Sequence, residues 1–245
     1  MWSFQQRASS PSQAPFLSPI NGAGGRNPKN APSSVQILRK QPRKHKLHHH
    51  GGVRAAMVDE ILPNALRRKL DRNWRGGFSL GVDLGMSRTG VALSKGFSLR
   101  PLTVLKLRGE KLELQLLDIA QRQEADEFII GLPKSSDGKE TPQSNKVRSV
   151  AGRLAVRAAH RGWRVYLLDE HGTTREAVDR MICMGLSESA RQNKSDAYAA
   201  MMVLERYFSM SGEGTELVLP KNVALQERLR MGPARDIDLF PEEEI

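Results

Sequence analysis

The chain reads as an α/β fold in which a mixed five-stranded sheet carries helices on both faces. Three observations predict this. Residues 78–107 contain three short alternating stretches separated by turn residues, as in an antiparallel meander. Phe128–Leu132 and Val165–Leu168 are continuous apolar runs, the signature of strands covered on both sides. Between and after them, apolar residues recur at helical spacing. The order is then β-β-β-α-β-α-β-α-α, and right-handed crossovers place its helices on both faces.

Each element can be justified in turn. Gly76-Gly77 marks a sharp change in character, after which Phe78, Leu80 and Val82 alternate with small residues as a first strand. Gly85, Ser87 and Arg88 make a tight connection to a second strand, Thr89–Ser94, and Leu99–Leu107 supplies a third. Leu112, Leu116, Ile119 and Ala120 form one apolar stripe of a helix ending near Glu124. After the buried run Phe128–Leu132, the residues Val147, Val150, Ala151, Leu154 and Ala158 form a second stripe. The next buried strand ends on two acids, Asp169 and Glu170. Thr173 with Glu176 fits a capping box for a helix through Met184, and a last helix, opened by Asp196 after Ser195, carries Ala197, Ala200, Met201, Leu204 and Phe208.

The formal charge of +11 looks like a nucleic-acid footprint until its distribution is considered. Residues 1–58 hold nine Lys or Arg and no acid, which leaves 29 basic against 27 acidic side chains in the remainder. The expected domain is therefore nearly neutral. Residues 1–55 are rich in Ser, Pro, Asn and Gly, lack periodicity and are expected to be a disordered basic transit peptide, chloroplast in type with mitochondrion as the alternative. Val53-Arg54-Ala55-Ala56 resembles a plastid processing site, and a disordered basic tail that touches RNA is the other reading. The cluster of His45, His48, His49 and His50 is read as incidental. Residues 56–76 are expected to be a linker with a short helix near Val58–Leu70, residues 77–210 the functional domain, and residues 211–245 a flexible tail. No run approaches the ~18–20 apolar residues of a membrane span. The single cysteine, Cys183, excludes intramolecular disulfides and Cys-rich zinc sites and is expected to pack as a small apolar residue.

Asp83 ends the first strand, Glu170 ends the last, and Asp196 opens the last helix. Ligands of open α/β sheets gather beyond the carboxyl ends of the strands, which is where two of these acids fall. Hard oxygen ligands in this number suit Mg²⁺ or Mn²⁺ rather than zinc. Two such ions roughly 3.5–4 Å apart activate the attacking water and stabilise the leaving oxygen of an in-line phosphodiester displacement. Asp83 would bridge both ions, with Glu170 and Asp196 holding them from opposite sides. Each acid also has a plainer reading, as a solvated strand end or, for Asp196, a partner of the helix dipole.

Gly81-Val-Asp83-Leu-Gly85 with Arg88-Thr-Gly90-Val-Ala92-Leu-Ser94, then Gly131-Leu-Pro133 with Asp137-Gly138, then Asp169-Glu170-His171-Gly-Thr173-Thr174, then Asp196-Ala-Tyr-Ala199-Ala200 occur in that order. The set resembles the YqgF family, also called RuvX, of Holliday-junction resolvases and precursor ribosomal RNA nucleases, within the ribonuclease-H-like superfamily. The resemblance implies a metal-dependent endonuclease that matures the 5′ end of small-subunit ribosomal RNA, with Asp83, Glu170 and Asp196 at the family's acidic positions. Two residues depart from the pattern. His171 stands where the family usually has Arg, and an imidazole lacks the bidentate grip of a guanidinium on phosphate. Lys95 stands where the family often has an acid.

Arg88, Lys134, His171, Thr174, Arg175 and Lys194 are candidate nucleic-acid contacts, and the polar segment Pro133–Gln143, opening a helix, offers backbone amides to a phosphate. An ordinary solvated loop is the alternative there, and Thr173 is read as a cap. The expected partner is nucleic acid, precursor ribosomal RNA before branched DNA, with no membrane, and the protein a monomer or weak homodimer. Two other functions compete: a non-catalytic nucleic-acid-binding module on the same fold, and a Holliday-junction resolvase acting on DNA. The Asp83-Leu-Gly85 turn also resembles a phosphate loop of actin-like ATPases, which need two such domains where this chain has room for one.

Overall fold

The computed structural model describes residues 35–38, 61–71, 73–74, 76–96 and 98–233. Its seven strands are β1 (Val35–Leu38), β2 (Phe78–Leu84), β3 (Thr89–Lys95), β4 (Ser98–Leu105), β5 (Ala125–Leu132), β6 (Arg164–Asp169) and β7 (Glu216–Pro220). Its six described helices are α1 (Asn64–Leu70), α2 (Gly109–Arg122), α3 (Pro142–Ala159), α4 (Thr173–Cys183), α5 (Glu188–Ser209) and α6 (Val223–Met231).

The strands form one sheet in the order β1-β7-β6-β5-β2-β3-β4. Within it, β4-β3-β2 is the expected antiparallel meander, and β2, β5 and β6 run parallel. This is the ribonuclease-H-like arrangement of a mixed sheet flanked by helices. The sheet is wider than the five strands expected, because β7 pairs antiparallel with β6 and β1 with β7.

Side chains alternate across a strand, so a covered strand such as β5 or β6 feeds two layers. Leu80, Val82, Phe128, Ile130, Val165 and Leu167 pack against α2 and α3. Ala92, Ile129, Tyr166 and Leu168 pack against α4 and α5 on the opposite face. The apolar stripe of α5, including Ala200, Val203, Leu204 and Tyr207, is fully buried there.

Several boundaries differ from expectation. Residues 211–233, expected to be a flexible tail, form β7 and α6, whose Leu219, Leu225 and Leu229 pack with Ala159 of α3. The apolar residues of that stretch are a weak signal because they are few and divided among three clusters, with Val218 in the α2/α3 layer, Leu217 against the α4/α5 layer and the rest in this small satellite core. Val35–Leu38 lies within the expected disordered leader yet forms β1, while the basic remainder of 1–55, the four-histidine cluster and the processing motif lie outside the described residues. The expected linker contains α1, which is docked rather than loose. Asn64 is fully buried, its backbone N–H donates to Glu127 Oε2 at 3.0 Å and its Nδ2 donates to Asp126 Oδ1 at 2.7 Å. Arg164 at the start of β6, also fully buried, donates to Asp126 Oδ2 at 2.6 Å and Asn64 Oδ1 at 3.0 Å. A buried charge is tolerated when it is paired and hydrogen-bonded, and at this end of the sheet, away from the acids, the two terminal nitrogens of Arg164 are so engaged while its Nε has no hydrogen-bond partner among the described residues.

Two local expectations are corrected. Thr173 does not cap α4: Gly172, in the left-handed region at φ 84°, holds the N-cap position, and Thr173 Oγ1 instead donates to Glu170 O at 2.9 Å. The reciprocal capping box sits at α3, between Thr141 and Ser144. Cys183, at the end of α4, is exposed rather than packed. Among the described residues no helix is long and apolar enough to cross a membrane.

Candidate active site

Because β2, β5 and β6 are parallel, their carboxyl ends lie side by side at one edge of the sheet. Leu80, Val82 and Leu84 point into the α2/α3 layer, so Asp83 points to the α5 side. Ile129 of β5 and Leu168 of β6 occupy the α5 layer, and the same alternation carries Gly131 and Glu170 to that face. A Cβ on Gly131 would lie 1.9 Å from Glu170 Oε2, so only glycine leaves room for the carboxylate. Asp83 is opposite Gly90 of β3, where α5 comes nearest: a Cβ on Gly90 would lie 1.8 Å from the backbone oxygen of Asp196. Glycine inside a strand marks such close approaches. Three elements thus bring the three acids to one face.

Asp196 reaches this position differently from expectation. It lies well inside α5, whose N-cap is Ser187, and not in a first helical turn. The macrodipole effect fades within the first turn, so the plainer reading of Asp196 as a dipole partner is removed.

The acids are electrostatically strained. Burial raises the Asp83 carboxyl to about 6, and the negative charge of Asp196 adds to the effect. Burial raises Glu170 to about 8, Asp83 and Asp169 push it the same way, and Arg206 opposes them. Glu170 Oε2 is buried and accepts no hydrogen bond. Asp196 is compensated instead: Arg88 Nε lies 2.7 Å from Oδ2, while Arg88 Nη2 and Ser195 Oγ approach Oδ1 at 3.4 and 3.3 Å. The Nε contact is close but poorly directed, so Oδ2 gains charge balance rather than a hydrogen bond.

Asp169, next in sequence to Glu170, turns to the other face. Its Oδ2 lies 3.1 Å from Lys134 Nζ, in a cleft of about 570 Å³ that also includes Arg148 and Glu216. Lys134, predicted as a phosphate contact, is therefore spent on Asp169 and is not gathered with the three acids. His171 is exposed, its backbone N–H donating to Asp169 Oδ1 at 2.9 Å. Thr174, Arg175 and Lys194 are exposed, and their side chains form no hydrogen bond or ion pair among the described residues. Arg88 alone of the predicted contacts touches an acid of the site.

Arg206 was not anticipated. From α5 its Nη1 donates to Asp169 O and its Nη2 to His171 O, each at 2.9 Å, and Nη2 also reaches Glu176 Oε1 at 3.0 Å. The guanidinium holds the backbone on both sides of Glu170. Nothing in the sequence distinguishes it from other helix-surface arginines, because its partners are main-chain carbonyls of a distant loop.

The donor set is all oxygen and suits a hard divalent cation. Asp83 and Glu170 fit such an ion, being two desolvated carboxylates of which the first disfavours the charge of the second, and Glu170 has a buried oxygen with no hydrogen-bond partner among the described residues. The third ligand is not yet in place. Among the described residues no three acidic, histidine or cysteine side chains converge at ligating distance, and Asp196 is engaged with Arg88.

The family model described as RuvX, Holliday junction resolvase, matches residues 77–210. The chain belongs to the RuvX family. A "Putative pre-16S rRNA nuclease" of Nitratidesulfovibrio vulgaris is 31% identical over 134 residues, which cover 54% of this chain and 92% of that protein. One of the same description from Nocardioides is 36% identical over 137 residues, covering 54% and 86%. Among solved structures, Thermus thermophilus RuvC in complex with Holliday junction substrate aligns at 18% identity and a TM-score of 0.39, covering 59% of this chain and 99% of that one. Membership of RuvX carries a nuclease activity in general terms, with nucleic acid as the partner. The RuvX match holds β2 to α5 and all three acids, and leaves α1, β7 and α6 outside it.

Proposed function

We propose that the protein is a metal-dependent endonuclease that hydrolyses phosphodiesters of nucleic acid, acting in 5′-end maturation of precursor small-subunit ribosomal RNA. The observation that carries this reading is the placement of Asp83 and Glu170 together at the carboxyl ends of parallel strands, both desolvated and the charge of Asp83 disfavouring that of Glu170, where a cation would offset the repulsion. The RNA substrate is favoured by the bacterial relatives, which are described as pre-16S rRNA nucleases. The description of the family model favours a second substrate, four-way DNA junctions.

When bound, Mg²⁺ or Mn²⁺ would supply Lewis acidity toward the phosphoryl group and its attacking water. Asp83, Glu170 and Asp196 would hold it. The protein's own residues prepare the site. Gly131 leaves the space that Glu170 occupies, Gly90 lets α5 bring Asp196 against β3, and Arg206 fixes the loop on both sides of Glu170. Arg88 offers a planar cation suited to phosphate at the rim.

The test incubates the protein with precursor ribosomal RNA and with four-way DNA junctions, each with Mg²⁺ and with EDTA, alongside Asp83→Asn. Mg²⁺-dependent cleavage lost in Asp83→Asn supports the nuclease reading, and the substrate cut faster decides between RNA and DNA. Binding without cleavage, unchanged by EDTA and by Asp83→Asn, would make the domain a binding module.

A further inference from the structure

We propose that Arg88 is the internal counter-ion of Asp196 in the substrate-free protein, and that a phosphate of the nucleic-acid chain takes over its guanidinium, releasing Asp196 to a divalent cation. The inference rests on the metal-dependent reading above and specifies how the site would be completed.

Among the described residues, the hydrogen-bond and ion-pair partners of Arg88 are all on α5. Nε lies 2.7 Å from Asp196 Oδ2, Nη2 donates to Oδ1 at 3.4 Å, and Nη1 donates to the carbonyl oxygen of Gln192 at 3.1 Å. Arg88 itself stands five residues after Asp83, at the end of the turn between β2 and β3. It therefore bridges the strand bearing one acid to the helix bearing another.

The pair is built to exchange. Its side chains are 35% and 24% exposed, at the boundary between the half-buried acids and solvent. Ion pairs this exposed are weak and screened. A phosphate, by contrast, accepts a guanidinium through two parallel charge-assisted hydrogen bonds. The approach is open, since Gly85, Met86 and Ser87 of the same turn are exposed. Lys134 is a useful contrast. It also pairs with an acid, but Asp169 lies on the opposite face, so releasing it would add no ligand beside Asp83 and Glu170. Releasing Asp196 would add the missing third.

The consequence is a coupling between substrate and metal. Metal binds weakly while Arg88 holds Asp196 and more tightly once phosphate holds Arg88, and by linkage metal strengthens substrate binding by the same factor. Phosphate thereby selects its own cofactor-competent site.

The experiment measures Mn²⁺ binding to the full chain by calorimetry without nucleic acid, in wild type, Arg88→Gln, Asp196→Asn and the double variant. Arg88→Gln is expected to tighten Mn²⁺ binding by about fivefold, within the usual range of coupling between sites. A misfolded variant cannot produce such a gain. The gain should vanish in the Asp196→Asn background, which separates release of this carboxylate from general removal of positive charge. In EDTA, Arg88→Gln should weaken binding of precursor ribosomal RNA and of a four-way DNA junction, with a salt dependence shallower by about one phosphate contact. Mn²⁺ affinity unchanged in Arg88→Gln, a gain that persists without Asp196, or unchanged nucleic-acid affinity in EDTA would each overturn the proposal while leaving the nuclease reading intact. Absence of Mn²⁺ binding in every variant would overturn both.

Discussion

Gly131 and Glu170 share one space: a Cβ on the glycine would lie 1.9 Å from Oε2 of the glutamate and 3.0 Å from its Cβ. The first of those atoms is the end of a flexible side chain, so Gly131→Ala should displace the carboxylate more than the fold. The expected outcome is a drop in Mg²⁺-dependent cleavage of about tenfold or more with a stability change of about 1 kcal/mol, the low end for added core volume. Gly90→Ala should behave oppositely. Its Cβ would meet backbone at 1.8 Å, so it should cost about 3 kcal/mol of stability, and urea unfolding of the two variants measures the contrast.

The raised carboxyls make the metal-free protein sensitive to alkali. Asp83 binds its proton more tightly folded, at about 6, than at its ordinary 3.8, and Glu170 at about 8 rather than 4.5. Their folded state therefore holds more protons, and stability falls as pH rises from about 4 to about 8. Asp83→Asn should stabilise the metal-free protein at pH 7 by on the order of 1–3 kcal/mol and flatten the lower part of that decline. Saturating Mg²⁺ should abolish the advantage, since a bound cation stabilises the native state by mass action. Denaturation in EDTA and in Mg²⁺ at pH 5, 7 and 8.5 tests this.

Arg206→Gln removes the guanidinium that holds both flanks of Glu170. A loss of about 1–2 kcal/mol of stability is expected from the charged hydrogen bonds, with a larger proportional loss of cleavage, about tenfold in kcat, and little change in nucleic-acid binding in EDTA. Equal losses of activity and folded fraction would reduce Arg206 to a structural residue.

His171 is exposed, and only its backbone is engaged. An arginine there therefore costs the fold nothing. His171→Arg is expected to tighten nucleic-acid binding about threefold at moderate salt and to steepen the salt dependence by up to one phosphate contact. An unchanged salt slope would place position 171 away from the substrate backbone.

Residues 1–55 are proposed as an organelle-targeting leader. A form beginning at Ala56 should still unfold cooperatively, because β1 adds only a four-residue ladder at the edge of β7. A fluorescent fusion of that form should remain in the cytosol, and continued plastid or mitochondrial accumulation would refute the leader.

What the sequence revealed follows from which interactions are periodic. The strands β2 to β6 and their helices were legible because each buries a regular apolar pattern, and Asp83 and Glu170 because they interrupt that pattern at strand ends. Asp196 was legible as a residue but not as a position, since the largely polar first eight residues of α5, Glu188 to Ser195, precede its apolar stripe and hide the start of the helix. Gly90 and Gly131 carried a signal that could have been used, because glycine is a poor strand residue unless something approaches it closely. Arg206 carried none. Lys134 is not gathered with the three acids, because adjacent strand residues face opposite ways and its partner Asp169 points away from Glu170.

The buried cluster around Arg164 has a practical corollary for anyone who trims the protein to its recognisable family region. A fragment starting at Gly77 keeps Asp126, Glu127 and Arg164 but loses Asn64, which bonds all three, and the Leu62 carbonyl that Arg164 also reaches. The hydroxyl of Tyr207 on α5, 2.6 Å from Glu127 Oε1, would at the same time lose the Ala65 N–H it accepts. Such a fragment should be poorly soluble or partly molten, and its inactivity would report on a severed cap of the sheet rather than on the chemistry at the far end.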